Sequence, residues 1–282
     1  MRDEAVYISG TGFERIDLNC ASATVWAPND LHASEWAYDI GNGMLTGAVR
    51  EPCDIGVDIA LMDLSQAARM RRVFDRDIAN GTPGALVVNG YSQRACATAV
   101  KPRSLSGGAA SATVTFALLE GVWRLGHVVQ FAPQAQGPFE SMVPYDLPCD
   151  LAPPPPNTHV EASAWFSSPM KLTVYGPCVD PAVEIGGNRY EVSANVPEGA
   201  RVEVDQVSMT AVMVTATGDV LDVLADCSFG EGPGTGAYIF QPLPAGVSKA
   251  EWDGSFGFDV EWYEEEGAPP WNGYPSPSQT SL

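Results

Sequence analysis

Between Pro169 and Asp205 the chain never holds one periodicity for more than a few residues before Gly or Pro interrupts it. Lys171–Tyr175 alternates the direction of its side chains, Gly186-Gly187 suits a tight hairpin, and Glu198-Gly199 opens another return. Short alternating runs joined by tight turns make a β-sandwich module. Nothing in the stretch pairs a nucleophile with a base or offers a cofactor loop, so function has to be sought on a surface.

The rest of the composition agrees. At 282 residues the chain has room for two ordinary domains. Its 45% hydrophobic and 9% aromatic content indicates folded protein. With 28 Gly and 23 Pro, turn-rich β architecture suits it better than helix. No apolar run approaches the ~18–20 residues of a membrane span. The start, MRDEAVYISG, carries acids where a signal peptide has a basic region, so a cytosolic starting point is expected. Six cysteines (20, 53, 96, 149, 178 and 227) lie far apart without CxxC or a zinc-like His spacing. They read as free thiols rather than as a metal site or a disulfide framework.

Charge is unevenly spread. Residues 1–133 hold 11 Lys+Arg against 14 Asp+Glu, a balance of −3, and residues 134–282 hold 4 against 21, a balance of −17. So acidic a second half repels DNA phosphates and anionic membranes.

One helix stands out in the first half. Asp63 or Ser65 can cap it, and Asp63–Gln66 has capping-box spacing. Leu64, Ala67, Met70, Phe74 and Ile78 form its apolar face, and Gly81 is placed to end it in a left-handed conformation. Arg69, Arg72 and Arg76 share the other face. The simplest reading is a solvated face; the sharper one is a rim that pairs with acids on a neighbouring subunit. Strands are expected at Ala85–Asn89 with Gln93–Val100, at Ala112–Leu119 with Leu125–Phe131, and across Met44–Asp58, which Gly47 and Pro52 interrupt. Asn29–Asn42 and Ser104–Ala110 read as loops. In the second half Arg201–Asp205, Ala211–Ala216, Val220–Leu224, Ala237–Phe240, Lys249–Trp252 and Gly257–Tyr263 read as strands, with Thr217-Gly218-Asp219 as a hairpin turn. Prolines crowd residues 134–160, including Pro153–Pro156, and favour a polyproline spacer. The expected division is therefore an assembly domain 1–133, a Pro-rich linker 134–159, a second β-sandwich 160–271 and a tail 272–282 without apolar periodicity.

The search for chemistry yields no catalytic, cofactor-binding or metal residues. His127 sits in a strand-like run, and neither His32 nor His159 has a nucleophile motif near it. There is no Walker A loop, HExxH or helix-opening GxGxxG, and Gly230–Gly236 lies between expected strands in acidic surroundings. Carboxylate pairs such as Asp219/Asp222 and the run Glu264-Glu265-Glu266 are common in a chain with 35 Asp+Glu; they keep an acidic glycoside hydrolase as a third, weaker class. No EF-hand spacing supports a calcium site. Trp165, Trp252, Trp262 and Trp271 are candidates to stack on sugar rings, against the simpler reading of core or interface packing.

The order of these segments resembles that of the distal tail (Dit) proteins of long, flexible-tailed bacteriophages. In the first half the resemblance rests on the Arg50–Ala60 strand, LSQAARMRRVFDRDI, GALVVNGYSQRACATAV and TVTFALLEGVW. In the second it rests on MKLTVYGPCVDPAVEIGGNRYEV, GARVEVDQ, VMVTATGDVLDVL, LPAGVSKAEWDG and APPW. The resemblance spans most of residues 5–271. It implies a mainly β subunit: an N-terminal tail-tube-like β-sandwich with one flanking helix, and a C-terminal sandwich of galectin-like or carbohydrate-binding-module type. It implies a non-enzymatic virion protein, made in the host cytoplasm, whose copies form a homohexameric ring at the tail tip. That ring would join the tail tube protein to the tail hub or baseplate and leave a channel for DNA. Receptor-binding proteins and host glycan are further partners it suggests. Arg69, Arg72 and Arg76 then become candidates for the subunit interface, with loops 29–42 and 104–110 beside them and the acidic half turned outward. The alternative is a glycan-binding adhesion protein acting through its C-terminal domain.

Overall fold

In a computed structural model, residues 3–20, 23–26, 31–61, 64–106, 109–134, 158–164 and 166–271 are described. The chain forms two units, Met1–Leu125 with Glu265–Leu282, and Gly126–Glu264. Among the described residues the protein is mainly β, with antiparallel pairing and one α-helix. The expected Pro-rich linker is outside the described residues over 135–157, as are the tail 272–282, Asp63, Gly107-Gly108 and Trp165.

The first unit is made of β1 (Ala5–Ile8), β2 (Arg15–Asp17), β3 (Ala23–Trp26), β4 (Ala37–Gly41), β5 (Met44–Val49), β6 (Cys53–Leu61), α1 (Leu64–Asn80), β7 (Gly84–Val88), β8 (Tyr91–Ser106), β9 (Ala109–Leu118) and the start of β10 (Trp123–Phe131). β8 serves two sets of neighbours. Its first residues pair β7, which continues to β1 and β2; the remainder pairs β9, which continues to β6 and β3. Ala95 meets both Gly84 and Leu118, and the register shifts at Ala97/Ala99 and Pro102/Ser104. Such bulges bend a strand, which lets one long strand bridge two sets of partners.

The helix packs Met70, Val73 and Phe74 inward. The Phe74 ring meets Tyr7 edge-on at 5.0 Å and Phe116 at 5.8 Å. The helix ends as expected: Gly81 has φ +64°, its N–H donates to Ile78 O (3.1 Å), and the Thr82 N–H donates to Asp77 O (3.0 Å). One expectation fails. Ile78 is 47% exposed, and Asp77 is the buried residue of that turn. Asp77 is held inside because its Oδ2 accepts from the Tyr7 hydroxyl and the Gly10 N–H, both at 3.0 Å. Burial and this carboxylate push the Tyr7 phenol far above its ordinary pKa.

Both expected loops turn out to carry strands. Within 29–42, β4 pairs β5 across Asn42-Gly43, whose φ values of 53° and 75° fit a two-residue hairpin turn. Met44–Asp58 accordingly divides into β5 and β6. Of Ser104–Ala110, the described residues up to Ser106 belong to β8 and those from Ala109 to β9, with Ser106 paired to Ala109.

The second unit contains the rest of β10, β11 (His159–Glu161), β12 (Met170–Tyr175), β13 (Cys178–Val179), β14 (Ala182–Ile185), β15 (Asn188–Glu191), β16 (Asn195–Val196), β17 (Arg201–Asp205), β18 (Thr210–Val214), β19 (Val220–Asp222), β20 (Val247–Glu251) and most of β21 (Phe258–Glu266). One sheet runs β19-β18-β17-β12-β21-β10, and a second runs β11-β20-β14-β15. Leu172, Val202, Val204 and Val260 from the first and Val160, Ile185, Tyr190 and Ala250 from the second share one core. Each of these Val, Leu and Ile side chains contributes ~1.5–3 kcal/mol when fully buried. Gly186-Gly187 (φ 58° and 82°) turns β14 into β15, and Gly218 (φ 89°) lies in the β18–β19 connection, both as expected. Ala237–Phe240 is not a strand; Ile239 and Phe240 reach the core from irregular backbone.

Candidate functional site

The residues that might have carried chemistry hold the fold together. His32 Nδ1 lies 2.6 Å from Pro269 O and Nε2 lies 3.1 Å from Asp3 Oδ2, while its ring stacks on Trp271 at 3.6 Å. His127 stacks on Trp262 at 4.2 Å with Nε2 3.2 Å from Glu264 Oε2. His159 shares a hydrogen bond with the Thr158 hydroxyl at 2.9 Å. The candidate carboxylates are used locally too. Asp219 Oδ2 accepts from the Thr217 hydroxyl and Asp222 Oδ1 from the Leu224 N–H. Glu265 pairs with Arg124 at 2.8 Å. Gly230–Gly236 forms turns, with Gly232, Gly234 and Gly236 all at positive φ. Among the described residues no group of three His, Cys, Asp or Glu is placed to hold a metal ion. The described cysteines (20, 53, 96, 178 and 227) are unbridged; Cys149 lies outside the described residues.

The arginine face divides. Arg76 is used within its own unit, its Nη2 lying 2.5 Å from Glu14 Oε2 and 3.3 Å from Asp77 Oδ1. Arg69 and Arg72 are exposed, and neither has a carboxylate partner among the described residues. Arg72 only returns its Nε–H to Ala68 O at 3.3 Å. Arg71, which the helical spacing did not single out, reaches Asp75 at 3.9 Å.

Three surface features were not legible in advance. The first is the β4–β5 hairpin: Tyr38, Ile40, Met44, Leu45 and Val49 are all between 56% and 70% exposed. An isolated two-stranded ribbon is marginal in water, and one so apolar is suited to being covered. The adjacent Asn42-Gly43 was the sequence signal that could have found it.

The second is a cleft of about 250 Å³ in the first unit. Leu118, Trp123 and Gln93 are buried at its floor, and Glu35, Trp36 and Glu51 stand exposed at its rim. Gln93 donates through Nε2 to Val122 O at 2.6 Å, but its buried Oε1 has no partner among the described residues. The Arg50 guanidinium lies 4.4 Å from the Trp36 ring centre. Burial, Asp54 and Glu35 together raise the Cys53 thiol pKa beside the cleft.

The third is a cavity of about 380 Å³ in the second unit, lined in part by Gln130, Pro133, Tyr175, Pro177 and Asp259. Tyr175 donates to Asp259 Oδ2 at 2.7 Å, and Gln130 Nε2 reaches the same oxygen at 3.4 Å. The hydrogen bond to Asp259, assisted by burial, pushes the Tyr175 phenol up to about 12.

No protein-family model matches the sequence, and no curated protein matches it. Solved structures do. The crystal structure of the Dit (gp 19.1) protein of phage SPP1, described as a paradigm of the hub adsorption apparatus in phages infecting Gram-positive hosts, aligns with a TM-score of 0.52 and 10% identity, covering 94% of this chain and 100% of that one. A chain of the phage P2 baseplate, in its activated conformation with Ca, gives 0.60 at 11% identity, covering 95% of this chain and all of its own. The same baseplate with Sr gives 0.59 at 10%, with the same coverage. At these identities the likeness establishes the fold. It is the Dit-like fold to which the order of segments pointed.

Proposed function

We propose that this chain, which has the fold of phage SPP1 Dit, is a structural virion protein of the tail tip of a long-tailed bacteriophage. Six copies close into a ring between the tail tube and the tail hub or baseplate, leaving a channel for DNA. The observation that carries this reading is the breadth of the likeness: at least 94% of this chain, and so both units, follows proteins of phage adsorption hubs and baseplates from end to end. The role is one of geometry rather than catalysis, in line with histidines and carboxylates that serve packing and turns. The first unit, with its exposed apolar hairpin, supplies the ring; the second offers a platform to receptor-binding proteins. Assembly takes place in the host cytoplasm, before the tail is complete. Light scattering on the purified chain, with negative-stain images, is expected to show six-fold rings, alone or after addition of the tail tube protein. A monomer under both conditions would count against the reading.

One observation favours a second reading, a glycan-binding adhesion role. In the second unit's cavity a partly exposed tyrosine ring stands beside a carboxylate and a carboxamide, the combination that accepts sugar hydroxyls and stacks on a sugar's CH face. Binding of the full chain to a glycan array, lost in Tyr175→Ala, would support it.

A further inference from the structure

We infer that the helix face carrying Arg69 and Arg72 docks into the Glu35–Trp36–Glu51 cleft of a second copy of this chain. The inference rests on the ring reading above and names the contact that closes it.

Three observations converge. Arg69 and Arg72 sit three residues apart on α1, exposed and without a carboxylate among the described residues. Side chains at this spacing stand side by side, with ~5–6 Å between their Cβ atoms. The cleft carries the complementary chemistry: Glu35 and Glu51 have no cationic partner among the described residues, and the Arg50 guanidinium beside the cleft lies over the Trp36 ring rather than on either carboxylate. Beneath them Gln93 lines the same cleft, and its buried Oε1 has no donor among the described residues. A buried acceptor without a partner costs ~1–3 kcal/mol, so it marks a place where a donor belongs.

A guanidinium is the group that fits. It brings five N–H donors in one plane, so it can serve a carboxylate through two of them and still reach a carboxamide oxygen. It also stacks on indole, as Arg50 already does on Trp36, and Trp36 remains 49% exposed. Arg76 is not part of the contact, because Glu14 and Asp77 already hold it.

The contact is heterologous. The helix face and the cleft are different surfaces, so each copy offers one of each, and repetition of the contact generates a closed ring when the rotation permits. The acids come from the segment leading into β4 and from the link between β5 and β6, at the base of the apolar hairpin. Covering the cleft would therefore bring that hairpin against the same neighbour.

The test uses the full-length chain and reads mass by light scattering. One variant carries Arg69→Glu with Arg72→Glu; the other carries Glu35→Arg with Glu51→Arg. Each alone is expected to run as a monomer where the wild type is assembled, because every contact now sets like charges together. Mixed in equal amounts they are expected to reassemble, since alternating copies meet Glu with Arg at every contact. That rescue also shows both variants to be folded. If the wild type forms rings and both variants do too, or if the mixture stays monomeric although each variant unfolds with a wild-type midpoint, this contact is overturned and the ring reading stands. If the wild type itself never assembles, with or without the tail tube protein, both fall.

Discussion

In the second unit all four basic side chains already have acidic neighbours. Lys171 and Arg201 both reach Glu203, at 2.7 and 2.6 Å, Arg189 reaches Glu191 at 2.7 Å, and Lys249 pairs with Glu251. In the first unit Arg69 and Arg72 stand free of carboxylates while Glu35 and Glu51 stand free of cations among the described residues. The two units thus leave different remainders. Neutralised cations leave the second a purely negative surface, which repels copies of itself within about a Debye length, ~8–10 Å at ordinary salt. Among the described residues the first keeps both signs unpaired, which allows charge complementarity in a head-to-tail contact. The apolar hairpin adds to the contrast, since its five exposed side chains belong to the first unit alone.

The largest effects are expected in the cores. Phe74→Ala in the first unit and Phe258→Ala in the second each remove a ring that is 1% exposed or less, with an expected cost of ~3–5 kcal/mol. Hydrogen exchange read by mass spectrometry should show each loss of protection concentrated in peptides of the substituted unit. Equal loosening of 160–264 by Phe74→Ala would mean that the two units unfold as one.

Asp77→Ala comes next. It removes the acceptor of the Gly10 N–H and the nearer acceptor of the Tyr7 hydroxyl, leaving that hydroxyl Ala95 O at 3.5 Å, at an expected ~1–3 kcal/mol in denaturant unfolding. Asp77→Asn, which keeps an acceptor in place, should lose less. A neutral Asp77→Ala would show that the buried carboxylate is not what sets the inward turn of α1.

Ile40→Ser combined with Leu45→Ser sharpens the contrast from the surface. Both side chains are exposed, so the monomer's unfolding free energy should change by no more than ~0.5 kcal/mol. Ring formation, measured by sedimentation, should weaken clearly. A destabilised monomer with unchanged assembly would make the hairpin part of the fold rather than of the interface.

The smallest effect is expected at Tyr175. Its phenol titrates near 10 in the unfolded chain and is pushed up to about 12 in the folded one by the hydrogen bond to Asp259 and by burial. The folded state therefore keeps a proton that the unfolded state has released. The associated stability is complete below about pH 10 and is lost as pH rises through about 12. Urea midpoints at about pH 9 and about pH 11.5 should fall less steeply in Tyr175→Phe than in the wild type, and a parallel fall in both would remove the Tyr175–Asp259 pair from the account.

How far the sequence could be read followed the reach of the interactions involved. Gly186-Gly187, Gly218 and Gly81 were placed correctly because a positive φ is decided by the residue itself and its nearest neighbours. The helix over LSQAARMRRVFDRDI was legible from its 3.6-residue period, except at Ile78, where a buried hydrogen-bonded Asp77 displaced the apolar stripe. Of the hairpin at 37–49, β5 falls in the expected strand region, whereas β4 reads as loop because the ribbon buries neither face and so lacks alternation. Only Asn42-Gly43 betrayed it. Among the candidate interface residues, the spacing placed Arg69, Arg72 and Arg76 together, and could not reveal that Glu14 would claim the third. Gln93 gave no signal at all, being one polar residue in a strand whose neighbours alternate as usual.

A mainly β chain with one amphipathic helix, turns at defined glycines and charge segregated towards its second half are legible in the sequence alone. Those properties follow from local backbone preference and from counting. The fold, by contrast, sets Glu35, Glu51 and Gln93 around one cleft, leaves Arg69 and Arg72 without a carboxylate among the described residues, and lines a cavity with a Tyr–Asp pair. Strand pairing brings together residues far apart in the chain, and whether a charge is satisfied depends on which partner that pairing delivers.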